Sequence, residues 1–182
     1  MMKNVMIIHS YNGDTADSFA CDVEEKCREN GVEYHFPHFP VRREASYESW
    51  KRIMDKEKIN EETILIAHSL GTQFVLKYLA ETNRKINTYI SVAGYLHYEG
   101  RSDLEEINRN FEPSAADFEK CRTLIRRRIS LYSDNDRMNP LAKLEAYADA
   151  LDAQKVQVSG AGHFDPASGV RELPLPYDFF NG

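Results

Sequence analysis

Long apolar runs are missing from this chain. No stretch of its 182 residues approaches the roughly 18 consecutive apolar positions of a membrane span, so a soluble protein without a membrane partner is expected. The opening Met1-Met2-Lys3-Asn4-Val5-Met6-Ile7-Ile8-His9 holds too short an apolar run for a secretory leader, and His9 interrupts it. Cysteine is scarce as well. Cys21, Cys27 and Cys121 are odd in number and lack metal-finger spacing. Cys21 and Cys27 would stand about 9 Å apart along one helix, beyond disulfide reach. A reduced, cytoplasmic protein fits these counts. An excess of positive charge is also absent: 23 Lys and Arg against 29 Asp and Glu give −6. That balance argues against a nucleic-acid partner, which needs a clustered positive face. The basic run Arg126-Arg127-Arg128 reads as a solvated helix end or strand entrance. His35 and His38 could suggest a metal pair, but Pro37 breaks the strand geometry between them and no third ligand lies nearby in sequence, so no metal is expected.

What remains is an ordinary globular composition, 42% hydrophobic and 11% aromatic, long enough to bury one sizeable core. One domain spanning 1–182 is expected, with no repeat, linker or low-complexity block. Apolar runs alternate with helical patterns from end to end, the signature of βαβ units around a parallel sheet. Strands are predicted over Val5 to His9, Val32 to Phe36, Thr63 to Ala67, Ile86 to Ala93, Ile129 to Tyr132 and Lys155 to Val158. Helices are predicted over Asp14 to Asn30, Tyr47 to Lys58, Ser69 to about Asn83 and Pro140 to Leu151. Between Tyr95 and Leu124 lie polar helical pieces at Ser102 to Asn108 and Ser114 to Arg122, the candidate cap over a site. The tail from Val170 to Gly182, with Pro174 and Pro176, reads as a short surface helix or strap.

The segment Ile64-Leu65-Ile66-Ala67-His68-Ser69-Leu70-Gly71 carries the chemistry. An apolar strand ends at a serine among small residues and runs straight into a helix, the outline of a nucleophile elbow. The first glycine of the usual G-x-S-x-G pattern is replaced by Ala67, and Gly71 is kept. A serine so placed lies next to helix N–H groups that stabilise developing negative charge. It needs a base and an orienting acid. His163, in Gly160-Ala161-Gly162-His163-Phe164, follows the sixth predicted strand, and Ser133-Asp134-Asn135-Asp136 follows the fifth. Loops at the carboxyl ends of parallel strands converge, so these residues can meet Ser69. Asp136 reaches further over the sheet edge than Asp134, which is placed to cap the turn before Pro140. The backbone N–H of Leu70 is the first oxyanion donor, and Tyr11 or Ser10 in His9-Ser10-Tyr11-Asn12-Gly13 supplies the second. Tyr95, His97 and Tyr98, after the fourth strand, are candidates to line a substrate pocket. His68 beside the nucleophile reads as packing.

Ala-His-Ser-Leu-Gly at 67 to 71, Ser-Asp-Asn-Asp at 133 to 136 and Gly-Ala-Gly-His-Phe at 160 to 164 resemble the small serine hydrolases related to retinoblastoma-binding protein 9, nearly capless members of the α/β-hydrolase superfamily. The resemblance covers nearly the whole chain, including Asn110-Phe111-Glu112-Pro113 to Phe118-Glu119. It implies a three-layer α/β-hydrolase fold with a six-stranded, mainly parallel sheet and minimal cap. It also implies Ser69 as nucleophile, Asp136 as acid and His163 as base. The family usually has glycine at the position of Ala67, and His-Gly where this chain has His9-Ser10.

The expected function is hydrolysis of carboxylic esters or related small-molecule acyl substrates through an acyl-enzyme, with no cofactor. Two rivals stand beside it. One is a protein-binding module that keeps the fold without useful turnover. The other is a peptidase, amidase or thioesterase on the same triad.

Overall fold

The structure is a computed structural model that describes residues 3–99 and 102–175. Six strands form one sheet: β1 (Asn4–Ile8), β2 (Glu33–His35), β3 (Thr63–His68), β4 (Ile86–Val92), β5 (Ile125–Ser133) and β6 (Gln154–Val158). They lie in the order β2-β1-β3-β4-β5-β6. Each neighbouring pair is parallel. The α-helices among the described residues are α1 (Ala20–Glu29), α2 (Tyr47–Met54), α3 (Leu70–Thr82), α4 (Ser102–Phe111), α5 (Ala115–Leu124) and α6 (Leu141–Leu151).

Strand alternation divides the core into two. Met6, Ile8, Leu65 and Ala67 face the helical layer containing Trp50, Phe74, Tyr78, Phe111 and Tyr147. Val5, Ile7, Ile64 and Ile66 face the other way, onto Phe19, Val23 and Cys27 of the α1 side and onto Phe164, Leu173 and Leu175. Strands buried on both faces are apolar along most of their length, which is why residues 5–8 of β1 and 64–67 of β3 read as continuous runs. Two helices start on serine capping boxes. Ser46 and Ser49 exchange bonds of 3.2 Å at α2, and Ser114 and Asp117 exchange bonds of 2.8 and 3.2 Å at α5.

Several predicted boundaries move. The helix predicted over Asp14 to Asn30 is split: a 3₁₀ turn covers Asp14–Asp17, and α1 begins only at Ala20. The Thr15 hydroxyl is engaged by the Ser10 N–H, and Ser18 Oγ donates to the Thr15 carbonyl, so side chains compete with the helical ladder there. α2 ends at Met54 rather than Lys58. β5 starts four residues before the predicted Ile129, because Ile125 already pairs with Ile86 and the basic run forms the strand's entrance. Arg128 donates to the carbonyls of Ile125 and Asp152 there. In the tail, Leu173 and Leu175 are buried in the α1-side core, so the strap packs inward; residues 176–182, with Pro176, lie outside the described residues.

β1 leads to β2 on one side and, by way of α2, to β3 on the other. The crevice between the ends of β1 and β3 is therefore the topological switch point, where open α/β sheets bind ligands.

Candidate active site

Ser69 stands at that switch point, between the last residue of β3 and the first of α3. Its φ of 52° and ψ of −118° lie outside the comfortable regions for a side-chain-bearing residue, and its N–H donates to the Val92 carbonyl at 2.9 Å. The tight turn brings α3 against the end of β1. A Cβ on Gly71 would stand 2.7 Å from both the Ile8 and His9 carbonyl oxygens. Position 67 carries no comparable demand: Ala67 is buried in regular strand, opposite Ile8 and Ser91. The methyl group that departs from the family pattern sits in the core rather than in the turn.

The Ser69 hydroxyl lies 3.0 Å from His163 Nε2, and His163 Nδ1 lies 2.8 Å from Asp136 Oδ2. Because a carboxylate only accepts, Nδ1 carries the hydrogen and Nε2 is left to accept from serine. The Asp136 side chain is fully buried. Its second oxygen accepts from the N–H groups of Met138 and Asn139 at 2.7 and 3.1 Å, so both oxygens are occupied.

The loop after β5 grips the loop after β6 along its length. Asp134 accepts from Ser159 Oγ and the Gly160 N–H, each at 2.8 Å. These bonds, the Gly160 N–H first, hold its carboxyl below the ordinary range. Asn135 accepts from the Gly162 N–H at 2.7 Å, Asp136 meets His163, and Arg137 pairs with Asp165. Asp134 thus caps the turn before His163, not the one before Pro140 as its position in sequence implies.

A cavity of about 280 Å³ opens over Ser69 and His163. Leu70, Tyr11, Ser10 and Tyr95 line it together with Asn12, Asp14, Tyr98, Leu104, Asn108, Arg137, Met138, Asn139 and Asp165. Of the two proposed second oxyanion donors, the Ser10 N–H is already spent on Thr15 Oγ1 at 3.1 Å. Tyr95 is buried with its hydroxyl on Asn108 Oδ1. His97 is not in this cavity. It lines a separate groove with Leu96, Pro113 and Phe118, and its imidazole contacts Glu112. β4 has ended by Val92, so residues 95 and 97 do not share a face as they would in a strand. Sequence reasoning missed Asn108, Asn139, Arg137 and Asp165. The last pair sits immediately beyond Asp136 and two residues beyond His163, a spacing that contains the signal.

Among the described residues, no group of three or more His, Cys, Asp or Glu is placed to hold a metal ion. His35 sits between Glu33 and Glu57, at 3.0 and 3.4 Å, and the His38 ring packs against Phe36. No helix among these residues is long and apolar enough to cross a membrane.

A doubly wound parallel sheet with a serine elbow at its switch point defines an α/β-hydrolase. The serine hydrolase family model matches residues 5–181, and the chain belongs to that family. YdeN of Bacillus subtilis (strain 168), named as a hydrolase, is 25% identical, with 98% of this chain and 94% of that protein covered. The crystal structure of the ydeN gene product superposes with a TM-score of 0.87 at 24% identity, covering all of both chains. Est1E from Butyrivibrio proteoclasticus, solved with ferulic acid bound, gives 0.65 at 14% identity over 90% of this chain and 82% of that one. The thioesterase domain from the curacin biosynthetic pathway gives 0.64 at 13% identity over 92% and 88%. The protein is a hydrolase of the small serine hydrolase type.

Proposed function

We propose that the whole chain is one catalytic domain that hydrolyses small carboxylic esters or related acyl substrates through a covalent acyl-enzyme. The observation that carries this reading is the continuous chain from Ser69 Oγ through His163 to Asp136, at 3.0 and 2.8 Å. His163 Nε2 takes the serine proton as Oγ attacks the substrate carbonyl, and Asp136 stabilises the imidazolium that forms. The tetrahedral oxyanion is received by the N–H of Leu70, the first residue of α3, which has no carbonyl one turn earlier to bond. The second donor is the N–H of Tyr11, since that of Ser10 is engaged elsewhere. His163 then protonates the leaving group, and water, activated by the same imidazole, releases the acid.

The cavity, at about 280 Å³, favours short acyl groups. Est1E, solved with ferulic acid bound, and the curacin thioesterase domain share the fold, and a fold does not set the leaving group, so that preference rests on the cavity. Ser69→Ala is expected to abolish both turnover of short p-nitrophenyl esters and labelling by a fluorophosphonate. Full turnover in that variant, or a wild type that resists the probe, overturns the mechanism.

A further inference from the structure

His68 is fully buried, yet both its ring nitrogens are engaged. Nε2 lies 2.7 Å from the backbone carbonyl of His163, and Nδ1 lies 2.9 Å from Thr15 Oγ1. A carbonyl can only accept, so Nε2 carries the hydrogen; in a neutral ring Nδ1 then accepts, and the Thr15 hydroxyl donates to it. The Thr15 oxygen in turn accepts the Ser10 N–H at 3.1 Å. Every donor in this series has one acceptor, and the hydrogens all run one way along it, from Ser10 to Thr15 to His68 to His163.

We propose that His68 is a positioning residue that ties the backbone of the base, His163, to the loop carrying the second oxyanion donor, and so sets Ser69, His163 and the Tyr11 N–H relative to one another. Three separate pieces of chain meet in it: the loop after β1, the last residue of β3 and the loop after β6. A residue that only filled space would need no polar atoms there, and Phe19 already packs its edge on the ring at 5.7 Å between centroids. The His68 and His163 rings lie 5.2 Å apart, so the imidazolium formed during turnover has His68 as a close neighbour. The charged and titratable groups acting on His68 are His163, Asp14 and Asp165. Burial first, and the charge of His163 second, hold its pKa well below the ordinary histidine value, so no second cation opposes the one that catalysis creates.

This inference rests on the proposed acyl-enzyme mechanism, and its test keeps the two apart. His68→Gln, His68→Asn and His68→Phe are compared for kcat and KM on a short p-nitrophenyl ester, with Ser69→Ala in the same assay and thermal unfolding as the check on folding. A glutamine amide nitrogen reaches the place of Nε2 and can donate to the His163 carbonyl. An asparagine nitrogen reaches only the place of Nδ1, and phenylalanine keeps shape alone. Expected is a fall in kcat of about 10- to 100-fold for Phe and Asn, with KM within about two-fold, and recovery of at least about ten-fold of that loss by Gln. Thr15→Val is expected to lower kcat in the same sense, and it decides the question with the Gln and Asn pair if the Phe variant does not fold. Unchanged kcat in folded His68→Phe or Thr15→Val, or equal losses in Gln and Asn, overturns the proposal. An active Ser69→Ala overturns the mechanism beneath it instead.

Discussion

Gly71→Ala isolates the contact on which the elbow depends. The added methyl would stand 2.7 Å from two carbonyl oxygens, those of Ile8 and His9. Carbon and carbonyl oxygen ordinarily stay about 3.3 Å or more apart, so one side must retreat by roughly half an ångström. Neither oxygen belongs to a side chain that can rotate aside. The helix start or the end of β1 has to move, and these carry the Leu70 and Tyr11 N–H groups. An overpacked core site costs about 1–3 kcal/mol, which at ~2–4 °C per kcal/mol for a chain of this size lowers Tm by about 2–12 °C. The fluorophosphonate labelling rate of the folded variant is expected to fall by about 10- to 100-fold, since a sub-ångström displacement is felt at the reacting atoms. Ala67→Gly is the control. Position 67 is buried in regular strand, so restoring the family's usual glycine removes packing and adds chain entropy, costing about 0.5–1 kcal/mol with no gain in rate. A Gly71→Ala protein with wild-type Tm and labelling rate, or an Ala67→Gly protein that labels faster, refutes the assignment of the steric demand to position 71.

The two aspartates of the loop after β5 are expected to separate cleanly under steady-state kinetics. Asp136→Asn should lower kcat by about 10⁴-fold, the scale seen when a triad acid no longer holds the productive tautomer, whereas Asp134→Asn should lower Tm and change kcat by less than about ten-fold. Acid should also weaken the fold through its buried histidines. Burial lowers the pKa of both His68 and His9, so the unfolded chain binds protons that the folded one refuses, and stability present above the unfolded value of about 6.5 is lost as pH falls below it. For His68, held down to about 4, the cost is about 2 kcal/mol at pH 5, and His9 acts in the same direction. Urea unfolding at pH 7 and pH 5 measures this, and equal midpoints at the two would contradict it.

Much of this architecture is legible in the amino-acid sequence because burial on both faces of a parallel strand leaves a plain mark. β1, β3 and β4 were readable to within a residue or two for that reason, and the meeting of Ser69, Asp136 and His163 at one sheet edge because each follows a strand. What was hidden depends on side chains that bond across long separations. The break before Ala20 follows from Thr15 serving Ser10 and His68 rather than helix. The role of Asp134 depends on where Gly160 comes to rest, 26 residues away. The direction of His97 is decided by an irregular turn after Gly94, to which neither helical nor strand periodicity applies. His68 looked like packing because a buried histidine and a bonded one have the same sequence; only the position of the His163 carbonyl tells them apart.

The grip of residues 134–137 on residues 160–165 separates two tasks along the chain. Asp136 and His163 are held by bonds between the loops after β5 and β6, and those loops also give Arg137, Met138, Asn139, His163 and Asp165 to the cavity lining. Another wall of the cavity comes from a different piece of chain, with Tyr95, Tyr98, Leu104 and Asn108 supplied by the segment after β4 and by α4. That wall can be rebuilt without unfastening the chemistry. A descendant of this protein with a new substrate is therefore expected to differ between β4 and α5 while keeping 134–137 and 160–165 as a matched set, and a transplant of either loop alone should cost more activity than replacement of the whole of α4.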